Sequence, residues 1–200
     1  MNCYKFYINK YAFVKDEIPD LSFIPMLMRR KLDNFGKAAL YSLYNVYEEN
    51  TEGKLIFASC YGDIERVKKL INQRQEEGEI SPTGFSFSVH NATIGLFSLL
   101  NSIKTSYNSI SAGENTLSYG ILEAILTCKE KPTVFCFTEN KDELQSVSFY
   151  CSTTKLNEHA QEIMFIKEMN KQKDSFDDFI SFLENKKQYY CSDLYTLKRG

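Results

Sequence analysis

The chain has 200 residues, 43% of them hydrophobic, and carries 24 Lys and Arg against 26 Asp and Glu, a formal net charge of −2. That length suffices for one sizeable core, and the balanced charge supplies no basic field that would neutralise nucleic-acid phosphates or hold an anionic membrane surface. Six scattered cysteines and two histidines offer no C-x-x-C pair, so neither a zinc site nor a thioredoxin-like motif can be written, and reduced thiols are expected.

From Met1 to Val14 there is no basic stretch followed by an unbroken apolar run, and nowhere does an apolar run reach the roughly 20 residues of a membrane span. The expectation is a cytoplasmic protein with no membrane span and a single domain over residues 1–200.

The opening segment, Cys3 to Val14, is aromatic and β-branched with rough alternation, which suits a half-buried strand. Pro19 and Pro25 mark an irregular connection. From Leu32 the apolar residues Phe35, Ala39, Leu43, Val46 and Tyr47 fall at helical spacing, with Lys37, Asn45 and Glu48 on the other face and a stop over Asn50 to Gly53. Lys54 to Ser59 reads as a buried strand, and Asp63 to Gln75 as a helix. A loop containing Gly78, Pro82 and Gly84 then leads into Val89 to Ile103, a helix apolar over most of its circumference and therefore expected to be buried.

Tyr107 to Ser111 is a strand candidate that turns through Ala112 and Gly113 into a second largely apolar helix, Asn115 to Thr127. Pro132 precedes another buried strand, Thr133 to Thr138, with Gln145 to Cys151 beside it. Glu158 to Met169 and Phe176 to Leu183 read as helices, and Gln188 to Leu197 as a closing strand. Short apolar strands alternating with helices imply a layered α/β fold, with helices between sheets or covering both faces of one.

Three stretches together resemble the N-terminal half of β-ketoacyl synthases. The first is Leu32 to Leu43, LDNFGKAALYSL, similar to an Ala-rich helix near the start of these enzymes. The second is Leu55 to Glu65, LIFASCYGDIE, a strand ending in a small-residue turn. The third is the most specific: SPTGFSFSVHNATIGL from Ser81 to Leu96, YNSISAGENT from Tyr107 to Thr116, and GILEAI from Gly120 to Ile125. Order, spacing and residue types match from about Leu32 to Thr138. The resemblance implies a truncated thiolase-like layered fold. The Ser-Val-His-Asn-Ala and Ser-Ala-Gly-Glu pieces also resemble a shorter branch of ketosynthase-like proteins found in aryl polyene and flexirubin-type pathways.

In catalytic ketosynthases the nucleophilic Cys stands at the strand-to-helix elbow, where backbone N–H groups and the helix dipole favour a thiolate. Here that position is Glu114, which cannot carry an acyl thioester, and the chain ends before a C-terminal half bearing the two decarboxylating histidines could be built. His90 and His159 stand in the wrong motif contexts to replace them. Chain-length factors of type II polyketide systems likewise lack the Cys. The resemblance therefore implies a non-catalytic subunit that forms a heterodimer with a full-length β-ketoacyl synthase, shapes its acyl-chain tunnel, holds no cofactor or metal of its own, and meets the phosphopantetheine of an acyl carrier protein through that partner. Around the elbow and tunnel it places Ser88, His90, Asn91, Ala112, Gly113, Glu114 and Asn115. On the strand by which the family dimerises it places Tyr107, Asn108, Ser109, Ile110 and Ser111.

Glu114 is expected to be a helix-start carboxylate satisfied by backbone N–H groups, His90 and Asn91 a buried polar pair, and Cys60 and Cys136 inert small hydrophobes. The run Arg29, Arg30 and Lys31 is either a solvated helix end or an attraction for an acidic carrier protein. Two rival functions stand beside the main one: a decarboxylase-like or acyl-transfer remnant using Glu114 with His90, and a structural stabiliser of a biosynthetic complex.

Overall fold

The computed structural model describes residues 3–48 and 53–200; of the helix stop expected over Asn50 to Gly53, all but Gly53 lies outside them. In chain order the elements are β1 (Cys3–Lys15), α1 (Met26–Arg29), α2 (Asn34–Val46), β2 (Lys54–Ala58), α3 (Ile64–Glu77), α4 (Pro82–Ser88), α5 (Ala92–Leu100), β3 (Tyr107–Ile110), α6 (Thr116–Cys128), β4 (Thr133–Glu139), β5 (Gln145–Ser152), β6 (Gln161–Lys167), α7 (Phe176–Leu183), β7 (Tyr189–Cys191) and β8 (Tyr195–Arg199). The strands form one mixed sheet in the order β3-β2-β4-β5-β1-β6-β8-β7. Among the described residues the β3/β2 and β2/β4 pairs are parallel, and helices carry the chain from β2 to β3 and from β3 to β4, as parallel strands require.

Alternation along the central strands builds a core on each face. Leu55 and Phe57 of β2 and Val134 and Cys136 of β4 face α2 and α5, where Phe35, Leu43, Ile94 and Phe97 are fully or nearly fully buried. Ile56, Ala58, Phe135 and Phe137 face the other way, onto Ile121 and Ile125 of α6 and Phe179 of α7. The approach of α6 is close enough to need Gly120: a Cβ there would lie 2.7 Å from Ala58 Cβ and 2.8 Å from Phe135 Cε2. Between α2 and the sheet sits a buried hydroxyl cluster in which Ser42 Oγ lies 2.9 Å from Ser146 Oγ and 2.8 Å from Ser148 Oγ.

β1 serves two neighbours in turn. It pairs with β6 over Cys3–Ile8 and with β5 over Tyr7–Lys15, and the register shifts between Ile8 and Lys10. The residue in that irregularity is Asn9, which is buried. Its amide donates to Ser152 Oγ at 2.7 Å and its Oδ1 accepts the Leu156 N–H at 2.9 Å, satisfying polar groups that a bulge would otherwise leave buried and unpaired.

Several expectations need correction. Glu158 to Met169 is not a helix: Ile163 and Phe165 point to one face of β6, a period of two, and the strand is flanked by β1 and β8. The closing segment is a hairpin of two strands, β7 and β8, rather than one. The stretch around Pro82 is helical, with Pro82 at the first turn and Ser81 Oγ capping Gly84 N–H at 3.1 Å. The helix expected from Val89 to Ile103 is only Ala92–Leu100, and its burial is one-sided, since Leu99 is 73% exposed. The described strands form one sheet with helices on both faces, the second of the two layered arrangements expected.

Candidate functional site

Three chain reversals meet at one end of β3, β2 and β4. After β3 the chain turns through Ser111, Ala112, Gly113, Glu114 and Asn115 into α6. Gly113 has φ +57, a left-handed conformation that glycine adopts without strain. Thr116 locks the turn: its hydroxyl donates to the Gly113 carbonyl at 2.6 Å and accepts the Ala112 N–H at 2.9 Å. The elbow is thus a rigid structure whose tip, Glu114, is exposed.

Beneath it, the loop after β2 is held from three directions. Glu139, the last residue of β4, accepts hydrogen bonds from Ser59 Oγ at 2.9 Å, from Cys60 N–H at 2.7 Å and from Tyr61 N–H at 3.4 Å. His90 donates from Nε2 to the Ser59 carbonyl at 2.7 Å, which fixes that nitrogen as the protonated one because a carbonyl only accepts. Ser111 of the elbow donates to the Cys60 carbonyl at 3.0 Å. Burial pushes the Glu139 carboxyl above the usual carboxylate range, against the pull of its three donors.

A cavity of about 410 Å³ opens between these pieces, lined among others by Cys60, Glu114, Ser118, Glu139 and Lys173. Lys173 donates to Asn115 Oδ1 at its rim. Among the described residues no group of His, Cys, Asp or Glu side chains gathers to hold a metal, and no helix is long and apolar enough to cross a membrane.

Of the residues expected at the elbow and tunnel, Ala112, Gly113, Glu114 and Asn115 form the turn, whereas Ser88, His90 and Asn91 do not line the cavity beside it. Glu114 makes no hydrogen bond among the described residues and does not satisfy the start of α6, so its expected bonding to backbone N–H groups is not found; the first helical turn is organised by Thr116 instead. His90 and Asn91 are not a buried pair. His90 is half-buried against Phe57, with ring centroids 5.9 Å apart, while Asn91 is exposed and its side chain caps nothing. Ser88 bonds only locally, to the Phe85 carbonyl at 2.8 Å. Cys136 is fully buried, as expected, whereas Cys60 is half-buried in the loop beyond β2 and lines the cavity.

β3 is an edge strand, paired through Tyr107, Asn108, Ser109 and Ile110 to β2 alone among the described residues. Ser109 Oγ is enclosed and has no hydrogen-bond partner there. The residue that sequence reasoning missed is Glu139. A single carboxylate closing an apolar strand carries no motif, and only the end-of-strand position hinted at it.

A mixed sheet whose parallel edge strand runs through a tight glycine elbow into a buried helix defines a class of fold. Its members include ketosynthases: chains of three solved complexes superpose on this one at 10–17% identity. One is the ketosynthase ApeO in complex with its chain length factor ApeC from Xenorhabdus doucetiae, at TM-score 0.71 and 17% identity, covering 90% of this chain and 84% of that one. Another is the complex AntDE:AntF, a type II polyketide acyl carrier protein with its ketosynthase bound to the hexaketide, at TM-score 0.65 and 11% identity, covering 84% and 70%. The third is the ishigamide ketosynthase/chain length factor, at TM-score 0.58 and 10% identity, covering 77% and 63%. No curated protein is a significant sequence match. Residues 8–174 match the beta-ketoacyl synthase N-terminal domain, and the chain belongs to that family.

Proposed function

We propose that the chain is a non-catalytic, chain-length-factor-like subunit, folded as one ketosynthase-like domain over residues 1–200, that pairs with an active β-ketoacyl synthase in a polyketide- or aryl-polyene-type pathway. The observation that carries this reading is the elbow. It is a strand–turn–helix junction like the family's, yet its tip holds Glu114, whose side chain has no sulfur with which to form an acyl thioester. Chain length factors seated beside ketosynthases in the similar complexes support the same role.

In this reading the free side of β3 meets the partner, as an edge strand with unpaired backbone groups readily does, and the unpartnered Ser109 hydroxyl gains a bond there. Glu114, Asn115 and the cavity behind them line the acyl-chain tunnel. The subunit has no cofactor of its own and works in the cytoplasm, with the carrier protein's phosphopantetheine arm entering through the ketosynthase. The remnant-enzyme reading lacks geometric support, because the Nε2–H of His90 is committed to Ser59 and the cavity at Glu114 is not lined by His90.

Co-expression with the cognate ketosynthase, followed by size-exclusion chromatography, tests the pairing. A one-to-one complex is expected, and Ser109→Arg weakens it by about tenfold or more because the added charge is desolvated without a partner. A monomer that ignores the ketosynthase contradicts the proposal.

A further inference from the structure

At the opposite end of α6 from the elbow lies a second cavity, of about 510 Å³. Leu122 and Leu126 on α6, Phe165 on β6 and Leu194 in the β7–β8 turn make its apolar lining. Tyr4 stands within it, fixed by a hydrogen bond from its hydroxyl to the Ile125 carbonyl at 2.7 Å. Two cations border this lining, Lys129 and Lys167. Lys129 Nζ sits 4.5 Å above the Tyr4 ring, which holds it over the cavity. Neither lysine forms an ion pair among the described residues; Glu130, which follows Lys129, pairs with Lys54, and Glu168, which follows Lys167, donates its backbone N–H to the Leu194 carbonyl.

A pocket of several hundred cubic ångströms with apolar walls and a few convergent polar groups is the usual form of a small-molecule site. Here the polar groups are all cationic or neutral. We propose that this cavity binds an amphiphile with one anionic head, a carboxylate on an apolar chain of about ten carbons, with the chain against Leu122, Leu126, Phe165 and Leu194 and the carboxylate between Lys129 and Lys167. The site lies apart from the elbow cavity and does not depend on the role assigned to Glu114.

Decanoate is the probe, titrated calorimetrically into the full chain, with decanol as its uncharged counterpart. Cys3, half-buried and lining the same cavity, reports the location through its alkylation rate, read by peptide mass spectrometry against Cys60 and Cys191. The expected result is saturable decanoate binding that slows alkylation of Cys3 alone. Decanol and the exposed double variant Lys129→Gln/Lys167→Gln should each weaken binding by about tenfold, the effect of two partly exposed ion pairs. Leu126→Glu, a helix-compatible change at an exposed position, should abolish it by like-charge repulsion. Equal binding of decanol, binding that survives all these variants, or protection of Cys60 instead of Cys3 overturns the proposal. Retention of the chain on phosphatidylglycerol vesicles without any binding of free decanoate overturns it as well, by assigning the lysines to a lipid surface.

Discussion

Glu139 Oε2 accepts the backbone N–H of Cys60 at 2.7 Å, so the last side chain of one strand holds the loop that follows its parallel neighbour. The same carboxylate takes the Ser59 hydroxyl, and Cys60 in turn passes its carbonyl to Ser111 of the elbow. A half-buried acceptor with three donors acts as a unit, since removing it leaves each donor short of a partner.

Glu139→Leu should therefore cost about 2–3 kcal/mol in urea unfolding, while Glu139→Gln, which keeps one acceptor oxygen, should cost about 1 kcal/mol. Equal stability of the two variants would show that the donors find other partners and that the loop is not held in this way.

A second carboxylate carries pH dependence. Arg66 Nη2 lies 2.6 Å from Asp33 Oδ1 and Arg66 Nε lies 3.0 Å from Asp63 Oδ2, bringing two carboxyl groups to one guanidinium. Burial, then the neighbouring Asp33, push the Asp63 carboxyl up to about 7. Burial also raises Asp33, but the hydrogen bond from Asp63 and the charge of Arg66 outweigh it and hold Asp33 below its ordinary value. The folded state thus binds the Asp63 proton more tightly than the unfolded chain does. Its contribution to stability is fully present below about pH 4 and is lost as pH rises through about 7.

Asp63→Asn, which still caps α3 and still accepts the Arg66 N–H, should flatten the unfolding midpoint between pH 4 and pH 8 and stay within about 1 kcal/mol of the parent at pH 8. A variant with the parent's full pH slope would place that titration elsewhere.

Glu114 is exposed and unpaired among the described residues, so Glu114→Gln should change stability by less than about 0.5 kcal/mol and leave the complex with the ketosynthase intact. Loss of all product from a complex that still assembles would give this side chain a chemical role.

Much of this was legible in the sequence, and the failures have physical causes. β2, β4 and α6 stand out because both faces of the central strands and most of the helix meet core, so apolar residues such as Ile56, Phe57 and Ile121 dominate their runs. The elbow was legible from Ala112 and Gly113, because few residue types fit such a turn. β6 was misread because only Ile163 and Phe165 are buried along it and the polar residues flanking them blur a period of two. Its strand form is imposed by β1 and β8 on either side, which is tertiary information. α4 was missed because Pro82 and Gly84 read as loop residues, although proline is well suited to a first helical turn. Glu139 and the Ser109 hydroxyl were invisible for a simpler reason: their significance lies in what surrounds them.

An elbow that never carries an acyl group leaves the mass of this chain unchanged, and intact-mass measurement reads that directly. The chain and its co-purified ketosynthase are incubated with acyl- and malonyl-loaded carrier protein, and each chain is weighed. An acyl adduct is expected on the ketosynthase alone, with no product when the present chain is supplied by itself. An acyl adduct on this chain, or product formed without another ketosynthase, would contradict it.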